Sequence, residues 1–225
     1  NLFSSFFNFN MITITFSDYI EHIYNSFEEI VDLENYNEII YINCWSNKLF
    51  NIPKLPNSLK ILKCYNNKLS RLPDLPNSLT ELYCQHKKIS KIPELPELPK
   101  LPNSLTHLCC DNNNFNKPTP LPELPELPKS LELLDFSNNN IYYLPELPNS
   151  LKNLNCSYNK ISNIPELPSS LKNLICSVNR LSDLPELPNS LINLECANNN
   201  LSSLPELPNS LTHLYCNDNN LSSLP

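Results

Sequence analysis

A unit of about 20 residues recurs along most of this chain. Residues 190–208 read S-L-I-N-L-E-C-A-N-N-N-L-S-S-L-P-E-L-P, and the frame S-L-x-x-L-x-C-x-x-N-x-L-S-x-L-P-x-L-P-N returns from Ile39 to the C-terminus. A fixed period of this length predicts a solenoid in which each unit packs on its neighbours. One unit cannot fold alone, because ordering 20 residues costs roughly 20–40 kcal/mol. The sequence therefore predicts stacked coils that share a core.

Each unit opens with an alternation of apolar and polar residues, which predicts a short β-strand. Because successive side chains of a strand point to opposite faces, Leu and Cys face inward and the residues between them line an open face. The strand segments begin at Ile39, Leu59, Leu79, Leu105, Leu131, Leu151, Leu171, Leu191 and Leu211. This spacing of Leu and Asn is typical of leucine-rich repeats. We predict an α/β-type repeat solenoid over residues 39–225, a leucine-rich repeat horseshoe of about nine repeats with short parallel strands on its concave face.

The Leu-Pro steps that close each unit predict an extended, polyproline-like convex segment. Proline lacks a backbone donor and biases the residue before it toward extended geometry, which disfavours helix and central strand. Two units are longer than the others by about six residues, through E-L-P-E-L-P-K-L-P and T-P-L-P-E-L-P-E-L-P-K. A polyproline helix has three residues per turn, so these insertions keep the Leu positions in phase.

Residues 1–38 lack the frame and are predicted to cap the open end of the first coil. Residues 11–16, M-I-T-I-T-F, are strand-like, whereas apolar residues at helical spacing predict one helix from Asp18 to Leu33, with Ser17 as its N-cap. The segment holds seven acidic and no basic residues, which favours a solvated outer face. A targeting or partner-docking helix is the alternative.

Two residue types form ladders, one place per repeat. The Cys ladder is predicted to be a column of small buried side chains, and reduced thiols in such number favour the cytoplasm. The Asn ladder is predicted to bond the backbone of neighbouring coils. The Cys positions are 44, 64, 84, 110, 156, 176, 196 and 216, and the Asn positions are 47, 67, 113, 139, 159, 179, 199 and 219.

Several function classes find no support in the sequence. There is no C-x-x-C pair and no Cys/His set at zinc spacing, so we expect no metal and no cofactor. No apolar run approaches the roughly 18 residues of a membrane span. Lys48, Lys68 and Lys88 form a basic rim that could meet acidic protein or nucleic acid, but the net charge of −7 argues against nucleic acid.

Aromatic residues cluster at the N-terminal end of the predicted concave face. Tyr41, Trp45, Tyr65 and Tyr83 fall there, together with Lys63. Exposed Trp and Tyr are the side chains that most often anchor protein interfaces. We therefore predict a partner-binding surface at these five residues. The alternative is that the cap folds over the aromatic side chains.

His107, Cys109 and Asp111 alternate along one strand and are predicted to share the concave face. An imidazole beside a thiol can activate it as a nucleophile. However, alternate side chains start roughly 6.5 Å apart, and no oxyanion donors are evident. We predict no catalytic residue, an exposed thiol at Cys109, and a place for all three residues in the partner-binding surface.

The frame L-P-x-L-P-x-S-L-x-x-L-x-C-x-x-N-x-L resembles the short, bacterial-type leucine-rich repeats of Yersinia and Shigella effector proteins, some of which are ubiquitin ligases. The resemblance covers residues 39–225 and departs from that family by its Cys, where Val or Leu is common. It implies protein binding in a host or cell interior. The Asn-rich, Gly-free composition also resembles repeat proteins of AT-rich giant-virus genomes.

We therefore predict a non-enzymatic, cytoplasmic scaffold (in the host cytoplasm if the protein is viral or an effector) that binds an unknown protein on its concave face. An alternative is the substrate-recognition part of a ubiquitin-ligase-like effector whose catalytic domain is absent from this chain. A third hypothesis is a structural protein without a specific client.

Overall fold

The computed structural model describes residues 11–85, 98–113 and 125–225, which form one eleven-stranded sheet. An N-terminal part holds β1 (Ile12–Thr15), β2 (Glu21–Tyr24), the short helix α1 (Phe27–Val31) and a 3-10 turn (Tyr36–Glu38). One strand from each repeat follows: β3 (Tyr41–Asn43), β4 (Ile61–Lys63), β5 (Glu81–Tyr83), β6 (His107–Cys109), β7 (Leu133–Asp135), β8 (Asn153–Asn155), β9 (Asn173–Ile175), β10 (Asn193–Glu195) and β11 (His213–Tyr215).

The repeat strands β3 to β11 are parallel and in register, as the period predicts. Their central residues stack directly on one another, for example Ile42 on Leu62 and Leu62 on Leu82. These side chains are buried from β3 to β10, and they join the Cys ladder in one continuous core. The strand residues on either side are only partly buried, so the sheet has one dry and one open face. The predicted parallel-strand solenoid is confirmed.

The Asn ladder is confirmed in atomic detail. Asn67 Nδ2 donates to the carbonyl oxygens of Cys44 at 2.8 Å and Cys64 at 2.9 Å, while its Oδ1 accepts from Asn47 N and Leu49 N at 3.0 Å. One buried amide thus ties two coils together. The same two Nδ2 bonds recur at Asn113, Asn139, Asn159, Asn179, Asn199 and Asn219.

A second polar ladder was missed by the sequence analysis. The Ser that precedes the first Leu of a repeat donates through Oγ to a carbonyl oxygen of the previous coil, as Ser150 does to Leu131 at 2.6 Å. The bond recurs from Ser58, Ser78, Ser104, Ser130, Ser170, Ser190 and Ser210. The recurrence of Ser in the S-L step was the available signal.

The residue before each ladder Asn turns the chain with a positive φ of 54–60° in every described coil. With no Gly in the chain, this left-handed position is held mostly by Asn, Asp or Ser. Tyr158 and Val178 also occupy it, and a β-branched residue is strained there. The coil geometry therefore overrides the local preference of these two residues.

The predicted cap helix from Asp18 to Leu33 is wrong. Residues 21–24 form β2, and the helix is limited to Phe27–Val31, after Ser26 rather than Ser17. The reason is the edge of β3, whose N–H and C=O groups need partners that a helix cannot supply. β1 supplies them by antiparallel pairing, and β2 pairs with β1 in turn. The strand-like reading of residues 11–16 is confirmed.

The cap also stands in for a missing coil in the Asn ladder. Asn47 has no earlier coil to bond, and its Nδ2 donates to the Met11 carbonyl oxygen at 3.2 Å. Phe27 and Ile30 of α1 are buried against the core. Both devices close the apolar end of the stack.

The convex side holds neither helix nor strand wherever it is described, and its polyproline geometry stays a prediction. Residues 1–10, 86–97 and 114–124 lie outside the described residues. They include Lys87 and Lys88 and parts of both insertions.

Candidate protein-binding surface on the concave face

The register of the parallel strands arranges the open face in three rows. The first row holds the first residue of each strand, from Tyr41 to His213, and the second row holds the third residue, from Asn43 to Tyr215. The third row lies two residues further on and begins with Trp45, Tyr65, Gln85 and Asp111. Backbone bonds from Ser46 N to Tyr65 O at 3.1 Å and from Asn66 N to Gln85 O at 2.8 Å keep the third row in step.

The four predicted aromatic residues come together and form what we call the aromatic patch: Tyr41, Trp45, Tyr65 and Tyr83. The rings of Trp45 and Tyr65 are stacked, with centroids 5.7 Å apart and planes inclined by 20°. Trp45 is 42% exposed. Tyr65 is partly buried, and the exposed Trp45 ring stacked on it offers apolar area that is already ordered before any partner arrives.

Lys63 joins the remaining two rings of the patch. Its Nζ lies 5.6 Å from the ring centroid of Tyr41 and 5.4 Å from that of Tyr83. Both distances fit cation–π attraction. Lys63 therefore lies among the aromatic residues, as the sequence analysis predicted.

The cap does not cover Trp45. β1 and β2 extend the sheet edgewise instead of folding across it, and Ile23 of β2 is 56% exposed. The hairpin does reach Tyr41. Tyr41 pairs with Thr15 of β1, and Thr15 pairs in turn with Glu21 of β2. Burial first, and then the charge of Glu21, raise the pKa of Tyr41. The described part of the cap thus leaves Trp45 exposed and reaches the aromatic patch only at Tyr41.

His107, Cys109 and Asp111 lie on the open face but do not form a nucleophilic site. Burial, followed by the charges of Asp135, Asp111 and Glu81, raises the pKa of Cys109 to about 12. A thiol with this pKa stays protonated near neutral pH and is a poor nucleophile. The Nδ1 of His107 pairs with the Thr106 hydroxyl at 2.9 Å. Cys109 is also partly buried, so the expectation of an exposed thiol is wrong.

The buried ladder thiols are unreactive for the same reason. All nine cysteines are free, and those of the ladder are buried except Cys216. Burial raises the pKa of Cys44, Cys156 and Cys196 to about 12. The predicted column of small buried side chains is confirmed, and in one coil Phe136 occupies the position that Cys holds in the others.

Three carboxylates surround Cys109 and form what we call the acidic trio: Glu81, Asp111 and Asp135. Burial, and then the charge of Asp135, raises the pKa of Asp111. Among the described residues, the single salt bridge joins Lys152 to Glu132 at 2.8 Å, so the acidic trio has no ion pair there. The sequence analysis missed the trio, because Asp111 and Asp135 come together only across a repeat of 26 residues.

The described part of the chain offers no site for a resident metal. It contains no group of three or more His, Cys, Asp or Glu side chains arranged to hold an ion. Within the same residues, no helix has the length and apolar character needed to cross a membrane.

Solved structures of bacterial leucine-rich repeat proteins resemble this one. YopM from Yersinia enterocolitica WA-314 is 39% identical with a TM-score of 0.66, and the match covers 81% of this chain and 43% of that chain. YopM from Yersinia pestis, a leucine-rich effector protein, is 36% identical with a TM-score of 0.69, and the match covers 84% and 57%. A leucine-rich repeat protein of Leptospira interrogans is 27% identical with a TM-score of 0.52, covering 76% and 48%.

This chain therefore spans about half the length of the proteins it resembles. It matches no protein-family model, and no curated protein matches its sequence.

Proposed function

The chain is a bacterial-type leucine-rich repeat protein, and we propose that it is a non-enzymatic scaffold that binds another protein on its concave face. The observation that carries the proposal is the stacking of the exposed Trp45 ring on the partly buried Tyr65 ring at the open face of the sheet. Concave solenoid surfaces are the usual binding surfaces of such folds.

The aromatic patch has the properties of an interface anchor. Trp and Tyr carry much of the binding energy in protein interfaces, because each buries a large area and has few rotatable bonds. In the aromatic patch Tyr41 and Tyr83 lie on the strands β3 and β5, whereas Trp45 and Tyr65 lie two residues beyond the ends of β3 and β4. The bond from Ser46 N to Tyr65 O at 3.1 Å holds these two segments together. A partner would therefore bind with little loss of conformational freedom.

A scaffold accounts for Cys109 better than an enzyme does. The one thiol on the open strands has its pKa raised to about 12, which opposes nucleophilic chemistry. The alternative, the recognition part of a ubiquitin-ligase-like effector, rests on the resemblance, and no described residue favours it. It would add a catalytic domain to the same binding surface.

The partner we propose is a protein rather than a nucleic acid. The acidic trio lies beside the aromatic patch and would repel phosphates. The predicted basic rim is a weaker candidate, because Lys68 Nζ lies 5.3 Å from the ring centroid of Phe50, off the open face. We place the protein in the cytoplasm, where the thiol ladder stays reduced.

Partner capture tests the proposal. The intact chain and the double variant Trp45→Ala/Tyr65→Ala are used as baits, and we expect the variant to lose the captured protein because its anchor is gone. A matched control is Phe50→Ala/Tyr143→Ala, which removes two exposed aromatic side chains outside the three rows.

The melting temperature of each variant is measured to check that the variant remains folded. Capture that survives in the Trp45/Tyr65 variant, or that disappears equally in the control, would contradict the proposal.

A further inference from the structure

The open face around the aromatic patch carries more negative than positive charge. Lys63 is the one Lys or Arg in the described parts of the three rows, whereas carboxylates lie on both sides of it. Glu21 of β2 pairs with Thr15, which pairs with Tyr41, so Glu21 extends the first row beyond the aromatic patch. The acidic trio lies on the other side. A surface of this kind is complementary to a basic partner.

Among the described residues, no Lys, Arg or His side chain forms an ion pair with the acidic trio. Asp135 keeps its place through bonds from Ser137 N at 2.9 Å and Asn155 Nδ2 at 3.2 Å, both from neutral groups. Glu81 accepts the Tyr83 hydroxyl at 2.9 Å. These neighbours hold Asp135 and Glu81 in position, and because they are neutral they do not cancel the charges of the two carboxylates. An incoming ammonium or guanidinium would meet preorganised acceptors and relieve the repulsion between Asp111 and Asp135.

The aromatic patch itself attracts cations. Lys63 already lies over two of its rings, which shows that the ring faces are oriented to receive positive charge. The stacked Trp45–Tyr65 pair offers both apolar area and a ring face on which a guanidinium can stack.

The strand spacing sets the distance between the two parts of the surface. Tyr65 and Asp111 belong to the same row and are two strands apart, which is about 10 Å at the usual 4.8 Å spacing. An extended peptide covers about 3.3 Å per residue, so about three residues connect the two positions.

From this arrangement we propose that the partner presents a basic, extended segment to the concave face. An aromatic or aliphatic side chain of the segment packs on Trp45 and Tyr65, and an Arg or Lys about three residues away pairs with Asp111 and Asp135. The inference rests on the proposed function and names the chemistry of the partner.

The experiment uses a displayed library of random 12-residue peptides as the probe, selected on the intact chain. We expect the enriched peptides to share an aromatic or aliphatic residue and an Arg or Lys about three positions apart. One enriched peptide is then titrated against the Asp111→Asn/Asp135→Asn variant. We expect about tenfold weaker binding, because both charged partners of the basic residue are lost.

The control is Glu166→Gln/Glu186→Gln, which removes the same two charges from exposed positions outside the three rows. Its affinity should stay within about twofold of the intact chain. Binding to the intact chain should also weaken as salt rises, since the contacts are partly exposed.

The outcomes separate the two proposals. Neutral or acidic peptides that still need Trp45 and Tyr65 would overturn the basic partner and leave the proposed function standing. Peptides that ignore Trp45 and Tyr65 would overturn both. A library that yields no peptide above background would also contradict an extended basic partner.

Discussion

The concave face differs between its two ends. From β3 to β7 its rows hold the aromatic patch, Lys63 and the acidic trio, whereas from β8 to β11 they hold mostly Asn and Ser. In the second region the side chains bond one another: Asn173 Nδ2 donates to Asn153 Oδ1 at 2.6 Å, and Asn193 Nδ2 donates to Glu195 Oε1 at 3.1 Å. In the first region the Trp45 ring is exposed, and no described cation forms an ion pair with the acidic trio.

Both regions stand on the same internal scaffold. The Asn and Ser ladders and the buried Leu column run through the N-terminal and C-terminal repeats alike. Stability and recognition therefore depend on different positions of the repeat. The ladder positions hold the coils together, and the rows are free to vary with what the protein binds.

The largest expected effect is the same in both regions. Asn67→Ala and Asn199→Ala each leave buried carbonyl and N–H groups of adjacent coils unpaired, at about 1–3 kcal/mol per group. We expect each to lower the free energy of unfolding by roughly 3–6 kcal/mol, measured by urea denaturation.

Asn57→Ala and Asn200→Ala are the matched controls, because both amides are exposed, and each should cost under about 0.5 kcal/mol. If a ladder variant in one region lowers the free energy of unfolding several times more than its counterpart in the other region, the two regions do not share a common scaffold.

The repeat period made most of the scaffold predictable. It placed Leu and Cys inward, aligned the strands and identified the Asn ladder, because every coil repeats the same local geometry. It also grouped Tyr41, Trp45 and Tyr65, which fall in adjacent units of equal length.

The cap could not be predicted in the same way, because it occurs once. Its apolar residues fit helical spacing, but the unpaired edge of β3, which favours a strand, is visible only in three dimensions. The acidic trio was missed for a related reason: its members are chemically unremarkable until the register brings Asp111 beside Asp135. The left-handed backbone at Val178 is imposed by the coil, against the preference of a β-branched residue.

A smaller effect on stability is expected at Asp111, which lies in the N-terminal region. The pKa of Asp111 is raised in the folded protein, so its stabilising contribution is complete below the unfolded value and is lost as the pH rises through the raised value. Near pH 7 the charged Asp111 therefore destabilises the fold. We expect Asp111→Asn to stabilise the protein at pH 7 by under about 1 kcal/mol, since the group is partly exposed.

This gain should disappear as the pH falls below the usual Asp range, near 3.8. Melting temperatures of the variant and the intact chain at several pH values make the measurement. Asp74→Asn, at an exposed position outside the three rows, serves as the control. A loss of stability at pH 7 in the Asp111 variant would show that the carboxylate is compensated after all.

Site-specific photo-crosslinking locates the partner protein, which we propose binds the N-terminal end of the concave face. A photoreactive phenylalanine analogue replaces Tyr65 in one protein and Tyr215, on the same open face at the other end, in a second. We expect the captured protein to crosslink from position 65 and not from position 215. Crosslinking from position 215 alone, or equally from both positions, would contradict it.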